Sequence, residues 1–126
     1  NANLDSMLFA LETLKSIKSF GKKIIVLADM LELGKVSQKH HTLVGDAINN
    51  LSKEGKQQII LMTFGKMAQY INQAAKFAKK FYYKDKNLLK KKLQNIVSEN
   101  DVVLVKGSRG MKMEEVVESL IKKLRG

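Results

Sequence analysis

The sequence predicts a three-layer α/β domain, a mainly parallel sheet flanked by helices. Three observations carry this expectation. Aliphatic runs of strand length alternate with segments of helical periodicity from one end of the 126 residues to the other. The last aliphatic run breaks at a glycine loop that leads into an amphipathic segment, a strand-loop-helix join common in such sheets. No internal repeat, low-complexity tract or Pro/Gly-rich linker interrupts the pattern, so residues 1–126 read as one domain, with 44% hydrophobic content to build its core.

The elements follow in order. Met7, Leu8, Leu11, Leu14 and Ile17 recur at helical spacing, with Asn3 or Asp5 placed to cap that helix. Its polar lead-in has nothing ahead of it to anchor it, as if the chain began within something larger. Residues 24–28 read as the first strand. Val44, Ala47, Ile48 and Leu51 mark the second helix, which Ser37 is placed to cap. A second strand at 59–62 precedes a helix marked by Met67, Tyr70, Ile71, Ala74 and Ala78, and 81–83 form a short third strand. Leu89, Leu93 and Ile96 mark the fourth helix. The fourth strand is Val102–Lys106, and Met113, Val116, Val117, Leu120, Ile121 and Leu124 give the last helix.

Ligands of parallel sheets collect beyond the carboxyl ends of the strands, where two loops carry polar groups. One holds Lys106, Gly107, Ser108, Arg109 and Gly110. Two cations, a hydroxyl and the N–H groups opening a helix would suit a carboxylate or phosphate. Of 23 cations only Arg109 and Arg125 are arginine, and a guanidinium grips a carboxylate through two parallel bonds, as a lysine cannot. The plainer alternative is a glycine turn carrying a solvated Arg109. The other loop begins at Asp29, which could hold a substrate ammonium, orient a cation or cap a helix or turn. Glu32 reads as solvent-facing or loop-closing, Gly65 as a turn residue, and the adjacent His40 and His41 as helix residues without a metal role.

A formal charge of +11 raises nucleic-acid binding as an alternative function, centred on the lysines at 76–92. Against it, the lysines are spread along the chain without an aromatic-rich binding motif, and Leu89, Leu93 and Ile96 make 90–92 a solvated helix face. Zero cysteines exclude disulfides and thiolate metal sites. No apolar run approaches the roughly 20 residues that span a bilayer, and no signal peptide is visible, which favours a soluble cytoplasmic domain without membrane insertion. No GxxxxGK[ST] phosphate loop and no nucleophile-base pair occur. The chain therefore reads as part of an active site, although an autonomous nucleotide-binding domain is a further alternative.

Three segments together resemble the carboxyl-terminal domain of the Mur ligases. They are Asn-Ala-Asn-Leu-Asp-Ser-Met at 1–7 with Ala-Leu-Glu-Thr-Leu at 10–14; Ala-Asp-Met-Leu-Glu-Leu-Gly at 28–34; and Val-Lys-Gly-Ser-Arg at 105–109 followed by Met113 and Glu114. Leu4 stands where the family usually has proline, and Ala28 where it usually has glycine. The resemblance is strongest to the member that adds D-alanyl-D-alanine to UDP-N-acetylmuramoyl-tripeptide in peptidoglycan precursor synthesis. It implies a Rossmann-like fold, with a mixed sheet containing one antiparallel strand. It further implies a full-length enzyme that uses ATP and magnesium through an acyl phosphate, is monomeric, and has central and amino-terminal domains supplying the phosphate loop, metal ligands and uridine site. This third domain closes over the site and presents the amine; alone it is inactive and holds no catalytic residue, metal or cofactor. By position the resemblance implies that Asn1 approaches the ATP ribose or phosphate, that Asn3 borders the dipeptide, and that Lys106, Ser108 and Arg109 hold the dipeptide carboxylate, with Asp29 a fourth contact and Gly107 a further substrate-binding residue.

Overall fold

Lys23–Ala28 is buried at every position, as befits a central strand covered on both faces. In the computed structural model, which describes residues 2–54, 58–76 and 78–126, this strand, β1, is flanked by β2 (Ile59–Phe64) and β4 (Val102–Lys106). The third strand, β3 (Lys79–Tyr83), pairs with β2, giving the order β3-β2-β1-β4. Ile25 lies between Leu61 and Leu104, which fixes the register of the centre. All pairings among the described strands are parallel, so the antiparallel strand implied by family resemblance is absent from the described residues. Each strand is instead followed or preceded by a helix that carries the chain back across a face.

Alternation along β1 sends its side chains to two separate cores. Ile25 and Leu27 pack with Met7, Leu11 and Leu14 of α1 (Leu4–Ser16), Val44 and Ile48 of α2 (Ser37–Glu54) and Ile71 of α3 (Ala68–Ala74). Ile24, Val26 and Ala28 pack with Leu89 and Leu93 of α4 (Lys86–Ile96) and Val116 of α5 (Glu114–Arg125). Three helices therefore cover one face and two the other, the layered arrangement the sequence predicts.

Asn3 caps α1 as expected, its side chain accepting from the Ser6 N–H at 2.9 Å while Ser6 Oγ accepts from the Asn3 N–H at 3.0 Å. Ser37 does not cap α2: a short 3-10 turn at Gly34–Val36 runs straight into the helix, and Ser37 already has helical dihedrals. Ala78 lies outside α3, which stops at Ala74 because Asn49 of α2 occupies the exit. Its amide donates to the Ala74 carbonyl at 2.9 Å and accepts from the Lys76 N–H at 2.7 Å. That contact needs α2 and α3 close together. Gly45 permits it, since a Cβ there would run into the Ile71 carbonyl oxygen and lie 2.7 Å from Ala74 Cβ.

Candidate functional site

The strand order reverses between β1 and β4, because the chain runs outward from β1 through β2 to β3 and then returns to β1's other side. Such a reversal opens a crevice at the carboxyl edge of an open parallel sheet. Its two lips are the loop after β1, beginning at Asp29, and the loop after β4, containing Gly107 to Arg109. The two cationic and acidic segments singled out in the sequence thus lie side by side.

Ser108 joins them. It is 1% exposed; its N–H donates to the Asp29 carbonyl at 2.9 Å, and its Oγ accepts from the Leu31 N–H at 2.7 Å. The same hydroxyl donates to the carbonyl of the buried Ala2 at 3.4 Å, bringing the lead-in of α1, and with it Asn3, to the same edge. Gly107 lets β4 and β1 approach: a Cβ there would stand 2.8 Å from Ala28 Cβ and 3.1 Å from Met113 Cγ. Ala28 therefore fits in the glycine's place only because its neighbour across the sheet has no side chain.

Asp29 is buried and its Oδ1 accepts from the Ala68 N–H at 2.7 Å, the first residue of α3. A carboxylate at that helix's positive end is favourable and ties the β1 loop to the far side of β2. Gly65 is more than a turn residue. Its φ of +116° requires glycine, and a Cβ there would lie 2.5 Å from Asp29 Oδ1. Glu32 adopts a left-handed φ of 64° in the exposed part of the β1 loop, consistent with loop closure.

Lys106 ends β4 half-buried opposite Leu27, and Arg109 is exposed at the start of a 3-10 turn, Arg109–Met111. Asn3 is exposed, with its side-chain oxygen engaged in the α1 cap. Asn1, the expected ATP contact, lies outside the described residues. The expectation of helix N–H groups opening directly from the glycine loop is corrected. After the 3-10 turn comes Lys112 in a left-handed conformation, and α5 starts only at Glu114, with Glu114 and Glu115 in its first turn. The Met111 N–H donates to the Ser108 carbonyl at 2.8 Å and the Lys112 N–H to the Arg109 carbonyl at 3.1 Å. The 3-10 turn and Lys112 thus separate the Lys106 to Gly110 loop from the positive end of α5.

His41 was the residue that sequence reasoning passed over. It is fully buried, its Nδ1 meets the Ser37 carbonyl at 2.7 Å, and its Nε2 accepts from the Met30 N–H at 3.0 Å. A signal was present: His41, Val44 and Ile48 follow each other at helical spacing on the inward stripe of α2. Burial lowers its pKa below 6.5, against the bond to Ser37 and the Asp29 charge, which raise it, while His40 lowers it further. Among the described residues no three His, Cys, Asp or Glu side chains gather to hold a metal ion.

A parallel sheet covered on both faces, with a strand-order reversal between β1 and β4, defines a Rossmann-like α/β domain. The family model described as "Mur ligase, glutamate ligase domain" matches residues 1–109, and the chain belongs to that family. It is similar to the UDP-N-acetylmuramoyl-tripeptide–D-alanyl-D-alanine ligases of Bacillus subtilis, at 36% identity over 96% of this chain, and of Escherichia coli, at 34% over 95%. The crystal structure of MurF ligase from Thermotoga maritima in complex with ADP matches 99% of the chain with a TM-score of 0.78 and 29% identity. The chain spans about a quarter of these relatives' length, 26% of the Bacillus protein and 27% of the Thermotoga chain.

Proposed function

We propose that this chain is the carboxyl-terminal, acceptor-binding domain of an ATP-dependent ligase that adds D-alanyl-D-alanine to UDP-N-acetylmuramoyl-tripeptide during peptidoglycan precursor synthesis. The observation that carries the reading is the pairing of Lys106 and Arg109 on a loop that Ser108 fastens to both the β1 loop and the lead-in of α1. Lys106 and Arg109 hold the dipeptide carboxylate, the guanidinium through paired hydrogen bonds. Gly107, Ser108 and Asp29 act by shaping and fixing the two lips of the crevice. Asn3 borders the dipeptide, and Asn1 reaches towards ATP.

ATP, with magnesium, activates the tripeptide carboxylate when bound by the remainder of the enzyme. In this reading the phosphate loop and metal ligands belong to that remainder, a central and an amino-terminal domain. This domain contributes by placing the dipeptide amine against the activated carboxyl and excluding water as the domains close, which needs no base of its own. In this reading the whole enzyme is a monomer in the cytoplasm and the isolated chain is inactive. No helix of the described residues is long and apolar enough to cross a membrane.

The test is Arg109→Ala in the full-length ligase. The expected result is a dipeptide KM raised about tenfold or more with the KM for ATP nearly unchanged, as for loss of one charge-assisted contact to a single substrate. An unchanged dipeptide KM removes Arg109 from this role. Duplex DNA binding that weakens steeply with salt and ignores the dipeptide would favour the basic nucleic-acid module instead.

A further inference from the structure

We propose that His41 is a positioning residue for the acceptor loop: as the neutral imidazole protonated on Nδ1, it holds the β1 loop in the shape that grips Ser108 and thereby places Arg109. This deepens, and rests on, the acceptor-site reading above.

The tautomer follows from the partners alone. The Ser37 carbonyl, 2.7 Å from Nδ1, can only accept, so Nδ1 carries the proton. The Met30 N–H, 3.0 Å from Nε2, can only donate, so Nε2 must be bare. The ring is fully buried and has no freedom to exchange these roles.

What His41 holds is the segment that touches everything else at the site. In three consecutive residues, Asp29 gives its carbonyl to the Ser108 N–H and its carboxylate to the Ala68 N–H, Met30 gives its N–H to His41, and Leu31 gives its N–H to Ser108 Oγ. Met30 is the middle of the three and is 1% exposed. Removing its acceptor leaves a buried N–H between the two bonds that fix Ser108, the residue immediately before Arg109. The loop must then move to reach another partner, and Ser108 moves with it. Misplacement of a binding group by about 1 Å can cost on the order of a hundredfold in rate, so even a partial shift is measurable.

Protonation at Nε2 would set N–H against N–H and break the same contact. The ionisable groups acting on the ring are the Asp29 carboxylate, which favours the proton, and His40, which opposes it; burial is the larger influence and keeps the ring neutral. The neutral, loop-holding form therefore persists above about pH 6.5 and is lost as pH falls through the lowered pKa.

The experiment uses the full-length ligase with D-alanyl-D-alanine, ATP and tripeptide substrate. His41→Leu removes the acceptor and should raise the dipeptide KM about tenfold, an effect comparable to loss of a substrate contact, while leaving the KM for ATP unchanged. His41→Gln offers an oxygen near the position of Nε2 and should restore the dipeptide KM to near the parent value. It should also abolish any rise in dipeptide KM that the parent enzyme shows as pH falls below about 6.5, because an amide does not titrate there. A folded His41→Leu enzyme with parental dipeptide KM overturns the proposal. So does a shift of dipeptide and ATP constants alike that His41→Gln does not rescue, which would mark a purely structural histidine. If His41→Leu fails to fold, an acid limb that is identical in the parent and His41→Gln overturns it. Arg109→Ala, measured alongside, separates the two readings. An effect of Arg109→Ala without one of His41→Leu sinks only the histidine proposal, whereas no effect of Arg109→Ala sinks the acceptor site and the histidine proposal with it.

Discussion

Ser108 illustrates how much a single hydroxyl can decide at the residue scale. Its oxygen satisfies the Leu31 N–H and its proton points to Ala2, so three segments distant in sequence meet on one atom. Ser108→Ala leaves the Leu31 N–H without this partner and should destabilise the chain by about 1–3 kcal/mol, measured by chemical denaturation. Restoration by Ser108→Thr would depend on room for a methyl group and is a poorer test than the alanine variant. The chemistry of Lys106 and Arg109 was legible in the sequence because a cation declares itself by type and the glycines mark a loop. The bonds of Ser108 and His41 were not, since their partners lie 77 and 11 residues away and are chosen by how the strands line up. Periodicity identifies which face of a helix is buried; it does not say which backbone N–H that face will meet.

At the scale of elements, strands were the easiest to read and helix ends the hardest. From Ile24 to Ala28 β1 is a run of buried aliphatic residues of strand length, whereas the end of α3 depends on Asn49, a polar residue on a neighbouring helix. The start of α5 was likewise hidden, because a 3-10 turn and a left-handed Lys112 intervene where the sequence shows only a glycine loop. Gly45 gives the sharpest test of the helix packing. In an exposed helix, Gly→Ala would be stabilising by about 1 kcal/mol, since alanine has the higher propensity. Here the added methyl would meet the Ile71 carbonyl and Ala74, so Gly45→Ala should instead destabilise by about 1–3 kcal/mol as α2 and α3 are forced apart. A more stable variant, by urea titration, would mean that these helices are not in close contact.

For the whole molecule, the two edges of the sheet are held by groups that respond to acid at different pH. At the carboxyl edge His41 is buried neutral. At the amino edge Asp101, whose side chain is 1% exposed, accepts from the Lys22 and Ser98 N–H groups at 2.7 and 2.8 Å and pairs with Lys22 Nζ at 2.9 Å. Burial alone would raise its pKa, but these bonds outweigh burial and hold it below 3.8. Both folded-state values are depressed, so in both cases the unfolded chain takes up protons first and stability falls with falling pH. The contribution of His41 is present above about pH 6.5 and is lost as pH falls through its lowered pKa; that of Asp101 is present above 3.8 and is lost further down. The parallel pairing of β1 with β4 sets these groups at opposite ends of the sheet and makes their losses separable. Thermal melting across this range should show two declines, the upper absent from His41→Gln and the lower absent from Asp101→Asn. The latter should also be about 2–3 kcal/mol less stable at neutral pH, because the buried carboxylate's charge-assisted bonds to two backbone N–H groups and to the partly exposed Lys22 are weakened or lost. The competing explanation is general repulsion, since a chain already at +11 gains positive charge as every carboxylate protonates. High salt screens that repulsion and leaves buried bonds nearly untouched. Declines that persist in high salt and disappear residue by residue belong to His41 and Asp101; declines that salt removes in the parent and in both variants alike belong to the charge of the molecule.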